Sequence, residues 1–384
     1  MGFYLAFKEV WRNKGRYILF SMVIALITVL VLFIAALAEG LGLANKEYLD
    51  KLDAELLAFQ ANVDLSLNSS RISRAKLNDI RRVEGVEEIG PLGFSVGTLI
   101  AAGERDPIDV SLIGIEAGMP GNPPILDGRG IQASRGYEVI LDGNIRAQTN
   151  IKVGDTVTIK TIQGSDESFF NLQVIGFTDK RQYLYQPSVF LPYQTWDRIR
   201  AQGGMSSGLV DLTSNIVAIK LVDPQNAESV KALIKSQVDG IEIADIPATI
   251  EAIPGYAAQQ TTTNTQKSFT LLIGLLVIGG FFQIQTLQKV PQIGVLKAIG
   301  APNKIIAAAV VFQIILVTTF GVLIGTTFTI LLSLGLPQGI PIVFTPQNTL
   351  IQIASLVLIG PLGGLLAVRL ATRVEPLTAL GLSS

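Results

Sequence analysis

Four long apolar runs decide what this chain can fold into: Tyr17–Ala38, Ser268–Gln285, Ile305–Leu334 and Leu350–Val368. No Asp, Glu, Lys or Arg interrupts them. The first, about 22 residues, makes a helix of roughly 33 Å, enough to cross the hydrocarbon of a bilayer. Hydrocarbon offers no water to backbone N–H and C=O groups, so each run is expected as a helix that satisfies its own. A secretory signal competes for the first run. Its apolar core exceeds the roughly 7 to 15 residues usual for such a peptide, and no small-residue cleavage site precedes Glu39, so a membrane span is expected.

Basic residues orient the spans. Lys8, Arg12, Lys14 and Arg16 precede the first, Lys289, Lys297 and Lys304 follow the second, and Arg369 and Arg373 follow the fourth, whereas Gly335–Asn348 has no Lys or Arg. Cytoplasmic loops retain positive charge, so both termini and the connection after the second span are expected in the cytoplasm. The expected layout is a cytoplasmic amphipathic segment (1–16), a span (17–38), a stalk and extracytoplasmic domain (39–267), a span (268–285), a cytoplasmic segment (286–304), a span (305–334), an external loop (335–349), a span (350–368) and a cytoplasmic tail (369–384).

After the first span, Lys46, Glu47, Asp50, Lys51, Asp53 and Glu55 alternate with Leu49, Leu52 and Leu56, which predicts a half-solvated stalk helix to about Gln60. Val63–Leu67 alternates as a strand, Leu77, Ile80 and Val83 share a helix face, and Val86–Ile89 reads as a strand. Much later, Ile216–Val222 is strand-like, Asp223-Pro224 opens a helix, and Gly240 stops it before Ile241–Ala244. Short strands at 95–101, 107–115, 138–141, 156–161, 172–177 and 189–191 fill the interval. The fold class is therefore an α-helical membrane domain of four transmembrane helices plus an α+β extracytoplasmic domain: two β-α-β units with an inserted β-rich lobe at about 95–200. In that lobe Tyr183, Tyr185, Tyr193 and Trp196, near Lys180 and Arg181, are read as packing residues or as a partner surface.

Composition removes much chemistry. The 384 residues are 49% hydrophobic and 16% charged, with no His and no Cys. A Ser-His-Asp triad, a Cys nucleophile and a His/Cys zinc site are thus excluded, and no catalytic or metal residue is assigned. No G-x-x-x-x-G-K-[ST] loop is present, and the glycine-rich Gly203–Gly208 lacks the lysine, so ATP and Mg, if used, belong to another polypeptide. A formal net charge of −1 gives no basic surface for nucleic acid. Uncharged spans disfavour a proton or ion relay. Gly321 and Gly325, Gly279-Gly280 and Gly363-Gly364 are expected to let helices approach closely.

One short stretch remains between two spans: Thr286–Ala301, TLQKVPQIGVLKAIGA. Ile293, Leu296 and Ile299 recur every three residues and fit one face of a surface helix, while a plain loop stays open.

Ile293-Gly294-Val295-Leu296-Lys297-Ala298-Ile299-Gly300-Ala301 resembles the coupling segment of the FtsX-like, MacB-type permease subunits of ABC transporters. Ala6–Arg16 is similar to that family's basic amphipathic lead into its first helix, and Val374–Leu380 to its C-terminal ending. The resemblance spans the chain and implies a homodimer in the cytoplasmic membrane, working with two copies of a separate ATP-binding subunit that contacts Gln292 through Gly300. In it, Leu296 and Ile299 would fill a groove while Lys297 makes a peripheral charge contact. Gln292 stands where the family has an acid. Residues 44–55 are similar to the haem-exporter branch, but with no histidine to hold iron, only Met22, Glu39 or a tyrosine is left as a substrate-binding candidate. Export of a hydrophobic or amphipathic substrate is one implied function. A signalling subunit that moves an extracytoplasmic partner, such as a cell-wall hydrolase, is the other. A membrane-bound enzyme would require a catalytic cluster in the lobe.

Overall fold

The structure, a computed structural model, describes residues 11–12, 14–101, 106–200, 213–336 and 341–374. Contacts divide the chain into a unit formed by residues 1–40 and 261–384 and a unit formed by residues 41–260. Two helices contribute to both, α1 (Lys14–Asp50) and α7 (Tyr256–Gln288).

The α/β unit holds β1 (Leu56–Gln60), β2 (Ile72–Ser73), α2 (Arg74–Arg81), β3 (Val86–Ala101), β4 (Ile108–Ile115), β5 (Ile125–Gly128), β6 (Glu138–Leu141) and α3 (Gly143–Gln148). It continues through β7 (Thr156–Gln163), β8 (Asp166–Thr178), β9 (Ser188–Pro192), α4 (Tyr193–Ile199), β10 (Thr213–Ser214), β11 (Ile216–Leu221), α5 (Ala227–Gln237), β12 (Ile241–Asp245) and α6 (Ile246–Glu251). Strand order is β12-β1-β11-β3-β4-β9-β6-β8-β5, with β7 on β3 and β8. β1 runs antiparallel to both β11 and β12, and β11 runs antiparallel to β3. The β1-α2-β3 and β11-α5-β12 units therefore interleave, each having one strand of the other between its own two, which is the split β-α-β arrangement.

The first strand lies at 56–60, where 63–67 was expected, and the stalk helix stops at Asp50 instead of near Gln60. Leu56, Leu57, Ala58 and Phe59 are all buried, Leu56 and Ala58 against α2 and α5, Leu57 and Phe59 against the end of α1 and α6. A strand covered on both faces has no alternation to detect. Residues 63–67 instead form turns, with positive φ at Asn62, Asp64 and Leu65. The expected strands at 86–89 and 95–101 are parts of the single β3, whose Gly93 lies in the strand because Trp196 packs there: a Cβ would sit 2.4 Å from its ring, and at Gly114 of β4 2.6 Å. The four aromatics part company. Tyr183 is buried against Phe94, Tyr193 and Trp196 lie in the core of the inserted lobe, and Tyr185 is exposed with its hydroxyl donating to Gln259.

Asp142 anchors the lobe. Fully buried, it accepts hydrogen bonds from the backbone N–H of Asn144 (2.6 Å), Arg181 (3.0 Å) and Ser188 (3.1 Å). Burial pushes its carboxyl up to about 6, outweighing the three donors that favour the anion. Because the folded value exceeds the unfolded one near 3.9, folding binds a proton between the two, and stability falls as pH rises from about 4 to about 6. The unfolding temperature reported by Trp196 fluorescence, in a Trp11→Phe background, is expected to be higher at pH 4.5 than at pH 7. Asp142→Asn should flatten that component of the slope and lower stability at both pH values, since one amide oxygen cannot serve three donors.

In the other unit, α1 and α7 are joined by α8 (Val290–Ala298), α9 (Asn303–Leu334), α10 (Pro346–Gly363) and α11 (Leu365–Arg373). Among the described residues, four stretches are long and apolar enough to cross a membrane, Lys14–Asp50, Tyr256–Gln288, Asn303–Leu334 and Pro346–Arg373, each longer than its apolar run. The last breaks at Gly364. The small residues set the packing. Gly321 and Gly325 of α9 lie on Ser21, Ile24, Ala25 and Thr28 of α1, and Gly279 of α7 meets Gly363 of α10.

Candidate functional site

The site is α8 with the chain on either side of it. Pro291 lacks an N–H and cannot continue α7, which ends at Gln288, so the chain restarts as a separate helix with Pro291 in its first turn. At the other end Gly300 takes φ +88°, its N–H donates to Lys297 O (3.0 Å), and the N–H of Ala301 donates to Leu296 O (3.0 Å). This pair of bonds is a Schellman cap, which requires a residue free to adopt positive φ. Pro302 then opens α9. The A-I-G-A-P stretch thus ends one helix and starts the next.

The faces of α8 differ from the expected one. Ile293 is buried against Ile306 and Ala371, while Val295 (48%) and Ile299 (77%) are exposed and Leu296 is half-buried. The expected stripe of Ile293, Leu296 and Ile299 is not one face: each three-residue step falls about 60° short of a full turn, so Ile299, whose N–H still donates to Val295 O (3.1 Å), lies about 120° round the axis from Ile293. The outward stripe is Gln292, Val295 and Ile299, flanked by exposed Ala298 and Gly300; Gly294 is buried beside Ile293.

Lys297 reaches to the end of α11. Its Nζ donates to the carbonyls of Thr372 (2.7 Å) and Val374 (2.9 Å) at the end of α11, where carbonyls lack helical partners and a cation is favoured. Lys289 donates to Tyr17 Oη (2.8 Å) and Gln313 Oε1 (2.9 Å). Spacing of apolar residues carries no signal for either bond.

The two substrate candidates are not brought together. Met22 is exposed on α1, and Glu39 follows about 25 Å further along the same helix. The Glu39 carboxylate accepts from Asn348 Nδ2 (2.9 Å) and Thr345 Oγ1 (3.3 Å). It lines a pocket of about 430 Å³, counting space open to solvent, with Leu32, Ala36, Lys267, Phe344 and Gln352. The expected motif residues 6–10, 13 and 375–380, and the loop Gly203–Gly208, lie outside the described residues.

Membrane-length helices in one unit, with a short capped helix between two of them, and an α/β fold in the other define a multi-pass membrane protein. Residues 18–237 match the family described as MacB-like periplasmic core domain, and residues 268–376 that described as FtsX-like permease C-terminal. The chain belongs to this MacB-type, FtsX-like family of ABC transporter permeases.

Among its relatives is the "Putative hemin transport system permease protein HrtB" of Staphylococcus haemolyticus, 26% identical over 98% of this chain and 99% of that one. Another is the "Uncharacterized ABC transporter permease Rv2563" of Mycobacterium tuberculosis, 19% identical over 98% and 99%. The periplasmic region of MacB from Actinobacillus actinomycetemcomitans aligns with a TM-score of 0.36 at 19% identity, covering 52% of this chain and 92% of that one.

Proposed function

We propose that this chain is the membrane subunit of an ABC exporter, coupling ATP hydrolysis by a separate ATP-binding subunit to the movement of a hydrophobic or amphipathic substrate. It works as a homodimer in the cytoplasmic membrane. Both termini and α8 lie in the cytoplasm, and residues 39–267 lie outside. The observation that carries this reading is the outward face of α8. Val295 and Ile299 are exposed on a short helix between two spans, with basic residues around it and a family match across it. An apolar pair so placed serves a protein partner. ATP and Mg bind in that partner.

At the opposite end of the bundle, the Glu39 pocket supports the substrate class. A carboxylate and the Lys267 side chain stand over apolar walls from Leu32, Ala36 and Phe344, which suits a molecule with an apolar body and a charged edge. Hemin, named for the Staphylococcus relative, is the first compound to test. In nanodiscs holding the chain and its ATP-binding subunit, hemin is expected to stimulate ATP hydrolysis. In proteoliposomes it is expected to move only when ATP is supplied. Glu39→Gln should weaken hemin binding, read from its absorbance shift, by about tenfold, the worth of one charge-assisted contact. Movement that continues without ATP would rule the reading out.

A further inference from the structure

The inward face of α8 carries a second pattern, set against the bundle. Lys289, Ile293 and Lys297 recur at four-residue spacing and so lie on one side of the segment. Ile293 supplies an apolar contact to Ile306 and Ala371, and the two lysines flank it with directional bonds. Lys289 joins α8 to α1 through Tyr17 and to α9 through Gln313, both partners at least 95% buried, and its ammonium lies 5.5 Å from the centre of the Tyr17 ring. Lys297 joins α8 to the last carbonyls of α11. An apolar contact resists separation but permits rolling and sliding. Charge-assisted bonds at both ends fix rotation and register.

The break at Pro291 makes this necessary. Since α7 does not continue into α8, a push on the outer face could bend the connection and leave the spans in place. We propose that Lys289 and Lys297 are positioning residues that lock α8 to α1, α9 and α11, so that force on its outer face moves these helices together. The assignment rests on the reading of α8 as the contact for an ATP-binding subunit. It gives the two lysines a role distinct from docking, because neither belongs to the outward stripe.

The chain has no cysteine, so one doubly substituted copy, paired in the dimer with an unlabelled copy, reports on a single pair of positions. Spin labels at Lys235→Cys in α5 and Gln347→Cys in α10, both exposed, would follow the distance between the two units in the reconstituted complex. ATP is expected to shift that distance in the parent. In the Lys289→Met, Lys297→Met double variant the ATP-binding subunit should still copurify and hydrolyse ATP within about twofold of the parent rate, while the shift falls below roughly a quarter; the Met side chains retain the apolar stems. Lys297→Met alone should lose about half the shift, and Lys297→Arg, which can still donate to the α11 carbonyls, should keep most of it.

A full shift in the double variant, or in Lys297→Met alone, would overturn the proposal. So would loss of the ATP-binding subunit from the double variant, because the lysines would then belong to docking. No ATP-dependent shift in the parent would instead refute the reading of α8 on which the proposal rests.

Discussion

Val295→Asp combined with Ile299→Asp is expected to abolish copurification of the ATP-binding subunit, with affinity lowered at least a hundredfold. Both side chains face outward, so neither substitution disturbs the packing of Ile293 on Ile306 and Ala371. Association would bury two carboxylates without partners, at a cost of several kcal/mol, and each 1.4 kcal/mol is about a tenfold change in affinity. Expression and thermal stability of the permease alone should remain near those of the parent. Ile293→Asp provides the contrast: it places a charge in the contact between α8 and the bundle and should destabilise the permease before any partner is added. Gln292→Glu restores the family's acid on the outward stripe. Being exposed, it should alter affinity by no more than about 1 kcal/mol and make binding more salt-dependent. Normal copurification of the double aspartate variant would show that the partner docks elsewhere.

Gly321→Leu and Gly325→Leu are each expected to destabilise the membrane unit strongly. A Cβ at 321 would lie 2.7 Å from Ile24 Cβ and 2.8 Å from Ser21 O, and one at 325 would lie 2.6 Å from both Ala25 O and Thr28 Cβ. Two of these contacts are to backbone oxygens, which no rotamer change can move. α1 and α9 must separate, losing close packing and the bond from Ser21 Oγ to Val317 O (3.4 Å). Overpacking alone costs about 1–3 kcal/mol, and helix separation adds to it. Thermal aggregation of the detergent-solubilised protein measures this, and each variant should aggregate at a clearly lower temperature than the parent. Gly280→Leu is the control, because a Cβ there meets nothing within 4 Å. Equal loss at positions 280 and 325 would show that the glycines matter for helix flexibility, not for close approach.

Legibility varied with how many faces of an element are covered. β7 and α2 stand close to where their sequences place them, since one-sided burial leaves a period. β1 is covered on both sides, and its uniform apolar run was read as the end of a stalk. β3 reads as two strands because its glycines resemble turn signals, whereas Gly93 makes room for Trp196, about one hundred residues away, and Gly90 for the backbone of Pro120. Glu39 is a single carboxylate in sequence; its partners Thr345 and Asn348 lie some three hundred residues on.

By itself the sequence determined that the chain has four membrane-length runs, that His- and Cys-dependent chemistry is absent, and that Thr286–Ala301 is a separate element between two spans. These follow from hydrophobic length, residue types, and proline and glycine positions, all local properties. Only the tertiary structure decided which side of α8 faces outward and what its lysines hold. Helical spacing places Lys289, Ile293 and Lys297 on one side, but which side is inward depends on Tyr17, Gln313 and the last carbonyls of α11, brought there by the packing of other helices. A lysine in sequence is a charge of unknown partner, and its partner is set by the fold.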